Sequence, residues 1–103
     1  MSESWKPIRQ IDYNNCRCNV VRGFYNNNRH SLQLYDAQDG TPVATATTNI
    51  SDYPVSDDKV IIKNAVENHG LKEILIDKGF IGPEIGTIKS GNTYATLHKL
   101  LYL

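Results

Sequence analysis

The chain has 103 residues, 40% of them apolar and 21% charged. That length fits one hydrophobic core with no room for a second, and the composition excludes a wholly disordered chain. A net charge of zero excludes the plain basic excess with which most nucleic-acid binders meet phosphates.

Residues 1–12 mix charge with Trp5 and Pro7 and show no period, which predicts a flexible N-terminal segment ahead of a single domain over 13–103. The opening Met-Ser-Glu-Ser-Trp-Lys-Pro lacks the apolar stretch of a secretion signal. No later run approaches the roughly 18 apolar residues that cross a bilayer, so a cytoplasmic protein is expected. Cys16, Cys18 and Val20 alternate with Arg17 and Asn19, predicting a first strand from Cys16 to Tyr25 with the thiols facing inward. A disulfide between two cysteines on one face of an extended strand would be strained, so both are expected as free thiols.

Asn26-Asn27-Asn28 reads as a turn, because asparagine tolerates left-handed backbone angles. A second strand over Ser31–Tyr35 should bury Leu32 and Leu34 and turn Gln33 and Tyr35 outward. Asp39-Gly40 is the kind of pair that tight hairpins require. Strand three, Val43 to Ile50, carries Ala44 and Ala46, whose small side chains are expected to lie beneath a helix. Pro54 stops pairing in the loop that follows, and Val60-Ile61-Ile62 forms a short fourth strand. Asn68 is the expected N-cap of one helix of roughly ten residues; Leu71, Ile74, Leu75 and Lys78 follow at helical spacing, and Gly79 is its stop. Phe80 and Ile81 should pack back over the helix end. Ile85–Lys89 and Thr93–Leu101 then make a closing hairpin. The expected fold is α+β: a twisted, mainly antiparallel sheet of about five to six strands with one short helix packed on one face.

Chemistry is sparse. Cys16 and Cys18 could supply two metal ligands, but His30, His69 and His98 are scattered and no second pair stands at metal-site spacing, so no metal or other cofactor is expected. No nucleophile elbow, Cys-His signature or phosphate-binding glycine loop occurs, and the chain is not expected to be an enzyme. Asp36 and Asp39 could join Glu67 in an oxygen-rich cation site, yet their spacing suits capping of a turn better.

Charge is uneven along the chain: residues 1–35 carry a net +3, residues 36–68 a net −4 and the rest +1. The acidic middle could face a basic partner surface, and tyrosine suits interfaces because it offers large area with few rotors to freeze. Asp36, Asp39, Asp52, Tyr53, Asp57 and Asp58 are therefore the candidate partner contacts. An alternative set, Arg17, Arg22, Tyr25, Arg29 and Tyr35, could bind single-stranded nucleic acid by stacking and phosphate pairing. A small structural or homo-oligomeric component is a third possibility.

The run Tyr25-Asn26-Asn27, Arg29, Gln33-Leu34-Tyr35-Asp36-Ala37-Gln38-Asp39-Gly40-Thr41-Pro42-Val43-Ala44-Thr45-Ala46-Thr47 and Asn49 resembles a family of small proteins of unassigned function, carried by phages, plasmids and conjugative elements of gut bacteria. The likeness continues through Val60-Ile61-Ile62-Lys63-Asn64, Glu67-Asn68, Gly70 and Gly79. It departs from the family at Asn64-Ala65, where members carry an acid and an aromatic, and at His69, where they carry an acid. The resemblance implies an accessory gene of mobile DNA, and such domains often inhibit host defence nucleases, as anti-CRISPR proteins do. It thus implies a phage or mobile-element inhibitor in the host bacterial cytoplasm, with a CRISPR effector nuclease as a partner whose positively charged channel an acidic rim could occupy.

Overall fold

A computed structural model describes residues 9–50, 53–64, 68–91 and 93–102. Seven strands and one helix follow in chain order: β1 (Arg9–Tyr13), β2 (Cys16–Phe24), β3 (His30–Asp36), β4 (Pro42–Thr45), β5 (Lys59–Lys63), α1 (Leu71–Asp77), β6 (Ile81–Ser90) and β7 (Thr93–Leu100). They form two antiparallel sheets, ordered β1-β2-β3-β4 and β5-β7-β6. The α+β class therefore stands, but the single sheet of five to six strands does not.

The extra strand comes from the expected tail. Arg9–Asp12 belong to β1, which pairs with β2 from Arg9 opposite Val20 to Tyr13 opposite Cys16. A two-residue turn joins the strands, with Asn14 and Asn15 both at positive φ (54° and 61°). Such turns match the twist of the flanking strands, and asparagine is among the few residues that accept them. Residues 1–8, including Trp5 and Pro7, lie outside the described residues.

The chain crosses between sheets just after β4. Ala46 N donates to Leu32 O in the first sheet, Lys63 N donates back to Ala46 O, and Thr47 bridges Ile62 of β5. This stitch is why the expected strand from Val43 to Ile50 stops pairing with β3 early. Both sheets turn apolar faces to one core: Ile11, Tyr13, Cys18, Val20, Leu32 and Leu34 from the first, Val60, Ile62, Ile81 and Leu100 from the second. Ala46 joins them with Leu71 and Leu75 of the helix, so its small side chain does sit in the core the helix covers. A smaller cluster of Ile61, Ile88 and Ala95 lies on the opposite face of the second sheet, beneath Ile50, Tyr53 and Val55.

The helix is seven residues, shorter than expected, because Gly70 and not Asn68 occupies its N-cap, at φ 81°. Asn68 is buried and its Nδ2 donates instead to Thr45 O at 2.8 Å. At the other end, Gly79 (φ 81°) lets its own N–H reach Ile76 O while Phe80 N reaches Leu75 O. That pair of bonds is the Schellman closure, and Phe80 and Leu75 supply its apolar contact in the core. Arg9 crosses from β1 to donate through Nη2 to Lys78 O at 2.6 Å, its guanidinium 4.3 Å above the Phe80 ring. Pro83 falls inside β6, where the register shifts between Ile81 and Glu84. An edge strand tolerates the missing donor at such a bulge, so β6 begins earlier than the proline suggested.

Candidate protein-binding site

The structure separates the acidic residues that the sequence grouped. Asp36 ends β3, where its Oδ1 accepts from Gln38 N at 2.7 Å and its Oδ2 accepts from the Cys16 thiol at 3.1 Å. Asp39 accepts from Thr41 N at 3.0 Å and from Thr41 Oγ1 at 2.7 Å. Both carboxylates thus organise the turn. The thiol bond and the Gln38 amide hold the Asp36 carboxyl below the usual range, while Asp36 in turn is the main cause that pushes the Cys16 thiol up to about 12. Cys16 is half-buried and Cys18 buried, and both are free thiols.

Asp57 and Asp58 sit at the other end of the same strand. Asp57 O accepts from His30 Nε2 at 2.6 Å, and His30 opens β3. Roughly 20 Å therefore divides Asp57 from Asp36, the length of a seven-residue strand. Asp58 pairs with Lys59 at 3.2 Å, which lowers its carboxyl, and its carbonyl accepts from Leu100 N. Tyr53 is half-buried against the second cluster. Asp52 and Glu67 lie outside the described residues.

The alternative basic set is dispersed as well. Arg17 pairs with Asp12 at 2.7 Å on the outer face of the first sheet, where Tyr35 donates to Gln33. Arg22 is exposed on the other face, opposite Leu32. Tyr25 OH lies 2.9 Å from Thr47 Oγ1, and Arg29 Nη1 donates to Ile50 O at 2.7 Å. Four of the five side chains thus hold partners of the chain itself, and no single face collects them.

What the structure does bring together is Phe24, His30 and Asp57. Phe24 is 62% exposed, the most open of the large apolar side chains described. It stands opposite His30 across β2 and β3, with ring centroids 5.0 Å apart. His30 in turn is held by the Asp57 carbonyl. Beside them lies a small cavity of about 100 Å³ lined by Asn27–His30, Val55–Asp57 and Lys59. Sequence reasoning passed over Phe24. The available signal was its parity: it follows Cys18 and Val20 on the inward face of β2, but at a point where the opposing residue is polar His30 rather than leucine.

Thr96 and His98 form a hydroxyl–imidazole pair at 2.7 Å, with His98 Nδ1 donating to Gly82 O at 2.8 Å. A carbonyl can only accept, so Nδ1 carries the proton and Nε2 accepts from Thr96. Thr96 is 3% exposed and His98 fully buried, so the pair faces no substrate and its place is within the second sheet. Burial pushes the His98 imidazole down from its ordinary value, against bonds that favour the charged form. Among the described residues, no group of three or more His, Cys, Asp or Glu is placed to hold a metal ion, and no helix is long and apolar enough to cross a membrane. No protein-family model, curated protein or solved structure matches the chain.

Proposed function

We propose that the chain acts by binding another protein, as an inhibitor of the mobile-element kind that the resemblance implies, with a guide-RNA nuclease as the first partner to test. The observation that carries this reading is Phe24, held open on His30 beside Asp57 and Asp58. Aromatic anchors ringed by polar groups dominate binding energy at protein interfaces, and an acidic rim suits a basic partner surface. The acidic contact surface is accordingly narrowed to the Asp57 and Asp58 end, because Asp36 and Asp39 are engaged in their own turn.

Nucleic-acid binding ranks below it, since Arg17 and Arg29 already hold acceptors of the chain itself. The test is calorimetric titration of purified guide-RNA nucleases with the chain, alongside their DNA cleavage. Expected are a stoichiometric complex and loss of cleavage. Phe24→Ala and Asp57→Lys should each weaken binding by about tenfold or more, with melting unchanged. Wild-type affinity in both variants would remove this surface. Absence of a complex with every nuclease tried would remove the proposed partner, and retention only while nucleic acid is present would return the question to the basic residues.

A further inference from the structure

We propose that two copies of this chain pair edge to edge through β2, antiparallel, with Gly23 on the two-fold axis. β2 runs from Cys16 to Phe24, but β1 covers its flank only as far as Val20, which stands opposite Arg9. The bonds to β3 fix which groups are left over. Ala37 N donates to Arg17 O and Tyr25 N to Arg29 O, both in the register that pairs β2 with β3, so the odd-numbered residues of β2 bond to β3. The even-numbered ones face the other way. Among the described residues, nothing pairs with the backbone N–H and C=O of Arg22 and Phe24 on that flank. The sequence ahead of β1 is a poor match for it: in the β1 register, the position opposite Arg22 falls to Pro7, which has no N–H to give.

An open edge of this kind is a template for another strand, and here the edge is complementary to itself. A two-fold centred on Arg22 would need Val20, already paired with Arg9, and one centred on Phe24 would set Arg22 against Asn26 in the turn. Centring on Gly23 sets Arg22 of each copy opposite Phe24 of the other, and both pairs exchange backbone bonds. Side chains directly opposite share a face, so each exposed guanidinium lies beside an aromatic ring that is 62% open in the single chain, the neighbourhood that cation–π attraction favours. On the other face the two glycines meet with no side chain between them. This pairing goes beyond the protein-binding reading and does not depend on it, although both use Phe24.

The two-fold makes Gly23 its own partner in a non-hydrogen-bonded pair, where Cα atoms stand about 4.5 Å apart, within the reach of a disulfide. Gly23→Cys should therefore form a covalent dimer under mild oxidation about tenfold or more faster than Val21→Cys, which has no copy of itself opposite. In the unsubstituted chain, raising the concentration from about 10 μM to about 1 mM should carry sedimentation from monomer toward dimer and slow amide exchange at Arg22 and Phe24. Arg22→Glu should keep the chain monomeric with melting unchanged. A monomer at about 1 mM overturns the proposal, as does a dimer that Arg22→Glu leaves intact, or equal cross-linking of the two cysteine variants. Protection of Arg22 and Phe24 that appears only with a nuclease added gives the flank to a strand of the partner and overturns it too. A Cβ at Gly23 would come 3.1 Å from Ser31 Oγ, so sedimentation and exchange of the unsubstituted chain decide if that variant fails to fold. The nuclease titration is separate: a monomer throughout, with the complex lost in Phe24→Ala, leaves the protein-binding reading standing and removes this one, and a dimer with no nuclease complex does the opposite.

Discussion

At the scale of single residues, the fold uses two titratable groups in opposite ways. His98 is buried and its folded pKa is lowered, chiefly by burial. Above the ordinary histidine value of about 6.5 both folded and unfolded chains are neutral there, and the stability is complete. As pH falls through that value, the unfolded chain takes a proton that the folded one resists, so stability declines toward the lower folded pKa. Urea titrations at neutral and mildly acidic pH should show that slope, and His98→Gln should flatten it while lowering stability at every pH. An unchanged slope in the variant would mean that another group carries the dependence. The Cys16 thiol, pushed up to about 12 mainly by its bond to Asp36, should stay protonated and react slowly at neutral pH. Asp36→Asn removes the charge that opposes the thiolate, and faster alkylation of Cys16, followed by mass spectrometry, is the expected outcome.

Among the elements, the helix shows how local signals and long-range contacts divide the work. Leu71 and Leu75 at helical spacing and Gly79 as the stop were legible, because periodicity and positive φ are properties of the chain itself. The N-cap was not: Asn68 has the right chemistry, but a carbonyl on a strand far away in sequence claims its amide. Gly79 sits at φ 81°, and a Cβ there would meet Arg9 Nη2 only at ordinary contact distance. The cost of Gly79→Ala should therefore come from the backbone alone, about 1–2 kcal/mol in a denaturant titration. The helix has no basic residue in its last turn, and Arg9 supplies that charge from β1. Arg9→Ala should cost about 1 kcal/mol, with the largest changes in amide exchange at Lys78–Phe80. Because β1 is pinned in this way, an effect confined to the N-terminus would contradict the docking.

For the whole molecule, the two sheets share one core and are stitched through Ala46 and Thr47, which argues for one cooperative unit. Leu34→Ala in the first sheet should lower stability by about 2–5 kcal/mol. The loss should appear equally in probes placed on β3 and on β7, in a single transition. Two separated transitions would show that the stitch does not couple the sheets.

Alternation at Cys16, Cys18 and Val20, the pair Leu32 and Leu34, the run Val60–Ile62 and the turn at Asp39-Gly40 determined most strands from the sequence by itself, since period two and turn chemistry are local. The alternation of Ile11 and Tyr13 before Asn14-Asn15 belonged to the same code, though the charged residues around it read as a tail. Tertiary structure alone decided the split into two sheets, because it depends on which strand Ala46 and Lys63 find. It alone decided the candidate site as well. Charge grouped along the chain says nothing about distance in space, so one acidic stretch divides between the two ends of β3. Phe24, His30 and Asp57, spread over three segments, meet only because β2 pairs with β3 and the loop before β5 returns to its end.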